Sequence, residues 1–159
     1  MTRKRKRGSR TKKIVYVDMD NVLVDFPSAL ARIPARIVAK YKGRLDEVPN
    51  IFSKMNPVPG AIESFRELAS RFDTFVLSTA PWENPSAWSD KLRWIKKHLG
   101  KAAHKRLILT HHKDLNRGHF LIDDRTKNGA GRFEGELVKF LSKRFPDWPS
   151  VMSYLRGKQ

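Results

Sequence analysis

The residues best suited to chemistry in this sequence are acidic side chains that directly follow apolar runs. Asp18 and Asp20 stand in the stretch IVYVDMDNVLVDF, where four β-branched or aromatic residues predict a buried strand. Asp123 and Asp124 follow the apolar run FLI in the same way. Carboxylates gathered at strand ends repel one another and lose hydration unless a positive charge lies between them. The sequence therefore predicts a cation among these four side chains.

Length and composition predict one globular domain with a real core. The chain has 159 residues, of which 40% are hydrophobic, and it holds four Trp and nine Phe. No apolar run approaches the roughly 20 residues of a membrane span, and the basic N-terminus is not followed by the apolar region of a secretory signal. The chain has no Cys, which excludes disulfides and thiolate metal sites. We therefore expect a cytoplasmic protein without a membrane partner.

Positive charge is densest at the start of the chain, and the remainder is basic too. The formal net charge is +17, and residues 1–13 (MTRKRKRGSRTKK) hold eight Lys or Arg and no acid. Such a run is typical of a solvated arm, and we expect residues 1–13 to be disordered. The alternative is that the arm contacts nucleic acid or another polyanion.

The order of elements along the chain favours an α/β fold. Short apolar runs predict strands at 14–18, 74–79, 106–110, 119–123 and 136–140. Helical spacing of apolar residues predicts helices at 61–72, 86–99 and about 149–155. Pro34 interrupts the helical stretch 26–42, which predicts a kinked helix or two short ones, and 43–59 is expected to be irregular or a small lid. Strands that alternate with helices predict a parallel sheet flanked by helices, in a single domain over residues 14–159.

The polar residues of the predicted strands all fall at one edge of that sheet. In an open parallel sheet, ligands bind at the carboxyl ends of the strands. The first strand ends at Asp18 and Asp20, whose i, i+2 spacing places them on the same side of an extended segment. The other ends carry hydroxyls, one ammonium group and an acidic pair: Ser78 and Thr79, Lys113, and Asp123 with Asp124. Four carboxylates without Cys or a suitably spaced His pair predict a hard oxygen site for Mg²⁺.

This set of residues is suited to phosphoryl transfer. Asp18 is predicted to attack phosphorus as a nucleophile and to form an aspartyl-phosphate. Asp20 is predicted to protonate the leaving oxygen and later to activate the hydrolytic water, because one carboxylate cannot both attack and handle the proton. Mg²⁺, Lys113 and the Thr79 hydroxyl would neutralise and position the phosphate.

The motifs together resemble those of a known superfamily. VDMDNVLVD, FVLSTAPW, Lys113 ten residues before Asp123, and LIDDR resemble the four motifs of the haloacid dehalogenase (HAD) superfamily, in its order and across most of residues 14–140. DMDNVLVDF, STAPW, LTHHKDL and LIDDRTKNG resemble more narrowly the 5'(3')-deoxyribonucleotidase family. Members of that family hydrolyse nucleoside monophosphates with Mg²⁺. The resemblance implies a HAD-like, Rossmann-like α/β fold with a small helical cap at about 26–58.

The resemblance also implies roles for individual residues. Asp18 matches the nucleophile and Asp20 the acid/base, whose backbone carbonyl also binds the metal. Asp123 and Asp124 match the acidic pair that serves the metal. Which of that pair touches the ion stays open at this point, with a preference for Asp124. The implied metal set is thus Asp18, Asp20, Asp123 and Asp124.

Further residues are predicted to bind the substrate. Thr79 and Lys113 match the phosphate-binding hydroxyl and the stabilising lysine of the family. Ala80 stands beside Thr79 in the phosphate-binding motif, where relatives carry a second hydroxyl. Three residues that follow motif segments are candidates for the substrate pocket. Phe26 and Trp82 could stack on a base, and Arg125 could orient an acid or the phosphate. For each of the three, the alternative is a core or ordinary loop position.

Two other functions stay open at this point. The same chemistry would serve a phosphorylated nucleic-acid end or a small phosphometabolite, since the basic arm and a short cap suit substrates other than a nucleoside monophosphate. A function of a different class is nucleic-acid binding on an inactive enzyme scaffold. The set of acidic residues argues against the second, because an inactive site has no reason to keep carboxylates that repel one another. A homodimer also stays open.

Overall fold

The structure is a computed structural model that describes residues 11–159. The predicted disordered arm therefore lies largely outside the described residues. The strands in chain order are β1 (Ile14–Val17), β2 (Val24–Asp25), β3 (Asn56–Pro57), β4 (Asp73–Ser78), β5 (Leu107–Leu109), β6 (Phe120–Asp123) and β7 (Glu136–Lys139). The α-helices are α1 (Pro27–Leu30), α2 (Ala35–Lys40), α3 (Ala61–Arg71), α4 (Pro85–His98) and α5 (Trp148–Leu155).

Five of the strands form one parallel sheet, as the sequence predicts. Its order is β5-β4-β1-β6-β7, so that β1 lies at the centre with β4 and β6 as its neighbours. The other two strands, β2 and β3, form a separate antiparallel pair in which Val24 lies opposite Pro57. This pair was not predicted, because strands of two residues are too short to show a period in the sequence.

Both faces of the sheet are buried, which explains why its strands are almost continuously apolar. In β1, Val15 and Val17 belong to the larger core, whereas Tyr16 points to a smaller cluster on the opposite face. Helices α3, α4 and α5 all contribute buried side chains to the larger core. The smaller cluster is covered by Ala130 and Phe133, from the connection between β6 and β7.

The segment around Pro34 forms two short helices rather than one kinked helix. Helix α1 has four residues and α2 has six, and Pro34 stands at the N-cap of α2. Proline has no N–H to donate to the preceding turn and disfavours helical backbone in the residue before it, so one continuous helix cannot run through it. Two 3₁₀ turns follow α2 before β3 begins: Leu45–Glu47 and Ile51–Lys54.

The strand order places three polar strand ends next to one another. Because β1 pairs with both β4 and β6 in parallel, Asp18, Ser78 and Asp123 come to the same edge of the sheet. The loop after Asp18 is also fixed from the far end of the chain: the indole N–H of the fully buried Trp148 donates to the Val22 carbonyl at 2.8 Å. Within residues 11–159, no helix has the length and apolar character needed to cross a membrane.

Candidate active site

A buried ammonium group bridges two of the carboxylates at the sheet edge. Lys113 Nζ lies 2.8 Å from Asp18 Oδ1 and 2.6 Å from Asp123 Oδ2. All three side chains are almost completely buried. Lys113 begins a 3₁₀ turn after β5, and its backbone N–H donates to the Asn128 carbonyl at 2.8 Å, which fixes the turn beside the strand ends. The structure thus brings together Asp18, Lys113 and Asp123 as predicted.

Asp124 faces the same cluster but is less completely bonded. Its Oδ2 accepts a hydrogen bond from the side-chain amide of Asn21 at 3.3 Å. Asn21 has left-handed backbone (φ 62°), a conformation that Asn tolerates better than most residues, and this turns the loop after Asp20 back toward β6. Oδ1 of Asp124 is buried and has no hydrogen-bond partner among the described residues, although Arg125 Nε lies 3.9 Å away. One carboxylate oxygen is therefore left for another ligand.

Asp20 is paired with a second buried lysine, which comes from α4. Lys91 Nζ lies 3.0 Å from Asp20 Oδ1 and 3.2 Å from Oδ2. The Lys91 side chain has no solvent exposure, and that of Asp20 is 15% exposed. Sequence analysis placed Lys91 in the amphipathic helix and assigned it no role.

The formal charges of the cluster do not cancel. The four carboxylates of Asp18, Asp20, Asp123 and Asp124 face two buried ammonium groups, Lys91 and Lys113, which leaves a charge of −2. The guanidinium of Arg125 is half exposed and only approaches Asp124, so solvent screens much of its effect. A divalent cation would bring the buried cluster to neutrality.

The pKa values of the acidic residues reflect this excess of negative charge. The pKa of Asp123 is raised to about 6, mainly by burial and next by the negative charge of Asp18, while Lys113 opposes both effects. Burial also raises the pKa values of Asp20 and Asp124, with a contribution from Asp18 in each case. Burial alone would lower the pKa of Lys113, but the carboxylates of Asp18 and Asp123 outweigh it, so that this pKa is raised.

The donor set at this edge fits a hard divalent cation. Oxygen atoms of Asp18, Asp123 and Asp124 lie within 4.8 Å of one another. Both oxygens of Asp123 already accept hydrogen bonds, Oδ2 from Lys113 and Oδ1 from the backbone N–H of Arg125 at 2.9 Å. Asp124 has the unpaired oxygen. A site made only of oxygen ligands suits Mg²⁺, and Asp124 is better placed than Asp123 to bind it directly.

A cleft of about 270 Å³ opens beside the carboxylates. Of the residues predicted to bind phosphate or substrate, Thr79, Trp82 and Arg125 line it together with Asp20. Trp82 is 76% exposed, and its ring lies edge-to-face with His111. Phe26 does not line this cleft; its ring packs edge-to-face on the buried Phe52 at 6.0 Å and against the larger core.

Of the two neighbouring residues predicted to bind phosphate, Thr79 lines the cleft and Ala80 does not. The Thr79 hydroxyl donates to the Thr110 carbonyl at 2.7 Å, so it must rotate before it can donate to a phosphate. Ala80 is completely buried, and its methyl group offers no hydrogen bond. Any contact between Ala80 and a phosphate would therefore have to come from its backbone.

Sequence analysis did not identify Lys91 and Asn21 as members of the cluster. Only for Lys91 does the sequence contain a pattern that could have indicated its role. Lys91 lies four residues from Ala87 and four from Ile95, so it falls on the buried face of α4. A lysine on the apolar face of a predicted helix is unusual, and this position could have indicated an internal ion pair. The contact of Asn21 with Asp124 depends on loop geometry, which no spacing in the sequence reveals.

Comparison with solved structures supports the fold. The structure of a haloacid dehalogenase-like family hydrolase from Xanthomonas campestris matches with a TM-score of 0.55, over 95% of this chain and 100% of that chain. The sequence identity is 11%, so this likeness concerns the fold alone.

Comparison with named proteins identifies the family. Two relatives carry the name "Putative 5'(3')-deoxyribonucleotidase": one from Vibrio phage KVP40, 55% identical over 96% of this chain and 90% of its own length, and one from Bordetella bronchiseptica, 44% identical over 75% and 78%. The human 5'(3')-deoxyribonucleotidase of cytosolic type is 30% identical over 70% of each chain. Residues 41–143 match the family model described as "5' nucleotidase, deoxy (Pyrimidine), cytosolic type C protein". This chain therefore belongs to the 5'(3')-deoxyribonucleotidase family.

Proposed function

We propose that this protein is a Mg²⁺-dependent phosphatase that hydrolyses deoxynucleoside or nucleoside monophosphates through an aspartyl-phosphate on Asp18. Membership of the family makes the chain a phosphoric monoester hydrolase. The observation that carries the finer proposal is the bridge of Lys113 between Asp18 and Asp123, inside a buried cluster with a formal charge of −2. A divalent cation would neutralise that arrangement, which is suited to phosphoryl transfer.

The residues proposed to hold Mg²⁺ are Asp18, Asp124 and the backbone carbonyl of Asp20. Asp124 is chosen over Asp123 because of its unpaired oxygen, and the Asp20 carbonyl is included because the family resemblance implies it. Asp123, whose two oxygens are taken, would instead hold Lys113 in place beside the nucleophile. When bound, the ion would neutralise the carboxylates and withdraw charge from the phosphate oxygens.

Asp18 and Lys113 are proposed to carry out the first step. Asp18 attacks phosphorus with a carboxylate oxygen, and the bond between phosphorus and the sugar oxygen breaks. Lys113, which is already 2.8 Å from Asp18, stabilises the negative charge on the equatorial phosphate oxygens. A rotated Thr79 hydroxyl would donate to the same phosphate. Because Asp18 and Lys113 are already held together by their ion pair, these two groups need little reorganisation in the transition state.

Asp20 is proposed to handle the proton in both steps. It lines the cleft and is partly exposed, so it can reach the leaving oxygen and, later, a water molecule. Burial raises its pKa, which favours the protonated form that a general acid requires. After the nucleoside has left, the same carboxylate would take a proton from the water that attacks the aspartyl-phosphate.

The substrate is proposed to lie in the cleft with its base near Trp82. An exposed aromatic ring at the mouth of a polar cleft is suited to stacking on a nucleobase. Asp46 and Glu47 line the same cleft, and both come from the segment between β2 and β3. We therefore propose this segment, at about residues 26–58, as a small cap over the site.

The nucleophile is tested by replacing Asp18. Asp18→Asn is expected to lower kcat for every nucleoside monophosphate by at least roughly 10³-fold, because an amide oxygen does not form the phosphoenzyme. Phosphate release is measured with a panel of 5'- and 3'-monophosphates, with Mg²⁺ or with chelator. Glu63→Gln, an exposed acid on α3, is the matched control and should retain full activity.

The same panel separates the proposed substrate from its alternatives. It includes a 5'-phosphorylated oligonucleotide and small sugar phosphates. Release from these and from no nucleotide would contradict the substrate proposal, whereas an active Asp18→Asn variant would contradict the proposed mechanism.

The stacking role of Trp82 is tested by its removal. Trp82→Ala should raise KM for nucleoside monophosphates by roughly 5- to 100-fold, since stacking a base on an aromatic side chain contributes about 1–3 kcal/mol. KM for ribose 5-phosphate, which has no base, should change by less than about twofold. Trp88→Ala is the control, because Trp88 is 39% exposed but does not line the cleft. Equal effects on both substrates would contradict stacking.

The excess charge of the cluster predicts how stability depends on pH without metal. The pKa of Asp123 is about 6 in the folded protein and about 3.9 in an unfolded chain, so the folded state binds more protons between these values. The free energy of unfolding should therefore fall as pH rises from about 4 to 6 in the presence of chelator. The raised pKa values of Asp20 and Asp124 act in the same direction.

Bound Mg²⁺ should remove this loss of stability, because the ion favours the deprotonated carboxylates. Urea unfolding at several pH values, with chelator or with excess Mg²⁺, measures both effects. Asp124→Asn should make the loss smaller and should weaken the stabilisation by Mg²⁺. Stabilisation by Mg²⁺ that is the same at pH 4 and pH 7 would contradict a carboxylate site.

A further inference from the structure

Lys91 is a completely buried lysine that has no role in the reaction steps proposed above. It lies on α4 and shares its buried face with Ala87 and Ile95. Removing an ammonium group from water is costly unless it is paired and hydrogen-bonded. A position with no solvent exposure therefore indicates that the surrounding groups hold the charge firmly.

Three groups from three parts of the chain hold the Lys91 ammonium. It donates to the Asp20 carboxylate at 3.0 and 3.2 Å and to the Ser78 hydroxyl at the end of β4 at 2.8 Å. It also lies 4.5 Å from the centre of the Phe52 ring, within the range of a cation–π interaction. Phe52 is itself buried and belongs to the segment proposed as the cap. The ammonium group is thus anchored by the sheet, the cap segment and Asp20.

The Asp20 carboxylate is held by Lys91. Among residues 11–159, the two hydrogen bonds to the Asp20 carboxylate both come from Lys91. Lys91 has two further partners, the Ser78 hydroxyl and the Phe52 ring. The orientation of the Asp20 carboxylate is therefore set by the lysine, and through it by β4 and α4.

We propose that Lys91 is a positioning residue, which holds the Asp20 carboxylate where it can deliver a proton to the leaving oxygen of the substrate. This inference rests on the proposed function of Asp20. Proton transfer requires the acid within hydrogen-bond reach of the oxygen that it protonates. A displacement of about 1 Å can cost roughly 10²-fold in rate, so a carboxylate without its anchor would be a much poorer acid.

A purely structural ion pair would give a different result from a positioning residue. Loss of a structural pair would disturb the whole site and slow every substrate alike. Loss of a residue that acts through the acid would slow only reactions in which the leaving group needs a proton. A nucleoside is such a leaving group, because its alkoxide is strongly basic, whereas p-nitrophenolate leaves without protonation.

The test compares these two leaving groups in Lys91→Met, which keeps an unbranched side chain over Phe52. The measured quantity is kcat/KM. It reports on the steps up to release of the leaving group and does not depend on hydrolysis of the phosphoenzyme. We expect kcat/KM for a nucleoside monophosphate to fall by roughly 100-fold, with most of the loss in kcat. For p-nitrophenyl phosphate the loss should stay below about threefold.

Matched variants isolate the action through Asp20. Lys97→Met, an exposed lysine of the same helix, should leave both substrates within about twofold of the wild type. In an Asp20→Asn background, Lys91→Met should add less than about threefold to the loss with the nucleotide, because the acid through which it acts is already absent. Ser78→Ala removes one anchor of the ammonium group and keeps its charge. It should give a smaller loss of roughly 3- to 10-fold, again only with the nucleotide.

Each outcome either supports or overturns the inference. Equal losses with both substrates, or no loss with either, overturn the role of Lys91 while an active wild type still supports the phosphatase. A wild type that releases phosphate from neither substrate overturns the proposed function and the inference together. If Lys91→Met does not fold, Ser78→Ala decides: a loss that is equal for both substrates, or absent, overturns the inference.

Discussion

Repulsion among four carboxylates at one sheet edge is the constraint on which the site depends. Asp18, Asp20, Asp123 and Asp124 are held by the sheet and its loops in a largely buried place, where water screens their charges only weakly. Two lysines that are as buried as the acids, Lys91 and Lys113, neutralise part of this negative charge. Two positive charges do not balance four negative ones, so the cluster keeps an excess of negative charge. The raised pKa values of Asp20, Asp123 and Asp124 follow in part from this excess of negative charge, and our proposal that a divalent cation binds here rests on it.

The parallel sheet makes the cluster possible because it gathers residues that are far apart in the chain. Asp18 and Asp123 are neighbours only because β1 and β6 pair in parallel, with Val17 opposite Ile122. Lys113 and Lys91 come from the turn after β5 and from α4, so each ammonium group belongs to a different connection of the sheet. The α/β core packs against both faces of the sheet and so holds these backbones at one edge.

Much of this arrangement could be predicted from sequence because strands and their ends leave local signals. Apolar runs predicted the five parallel strands. The polar residues that follow these runs predicted a site containing Asp18, Asp20, Lys113 and the Asp123–Asp124 pair. Contacts that depend on how elements pack could not be predicted. The ion pair of Lys91 with Asp20 joins a helix face to a loop 71 residues away. The position of Phe26 outside the cleft is likewise a matter of packing, because its ring lies edge-to-face on Phe52. The antiparallel pair of β2 and β3 was missed because strands of two residues are too short to show a pattern.

The most direct test of this account is a crystal structure of the protein with Mn²⁺ in place of Mg²⁺, located by its anomalous signal. Our proposal predicts one ion bound by Asp18, Asp124 and the backbone carbonyl of Asp20, with Asp123 still accepting a hydrogen bond from Lys113. An ion at any other place, or one bound by Asp123 after release from Lys113 while Asp124 stays unbound, would contradict the account.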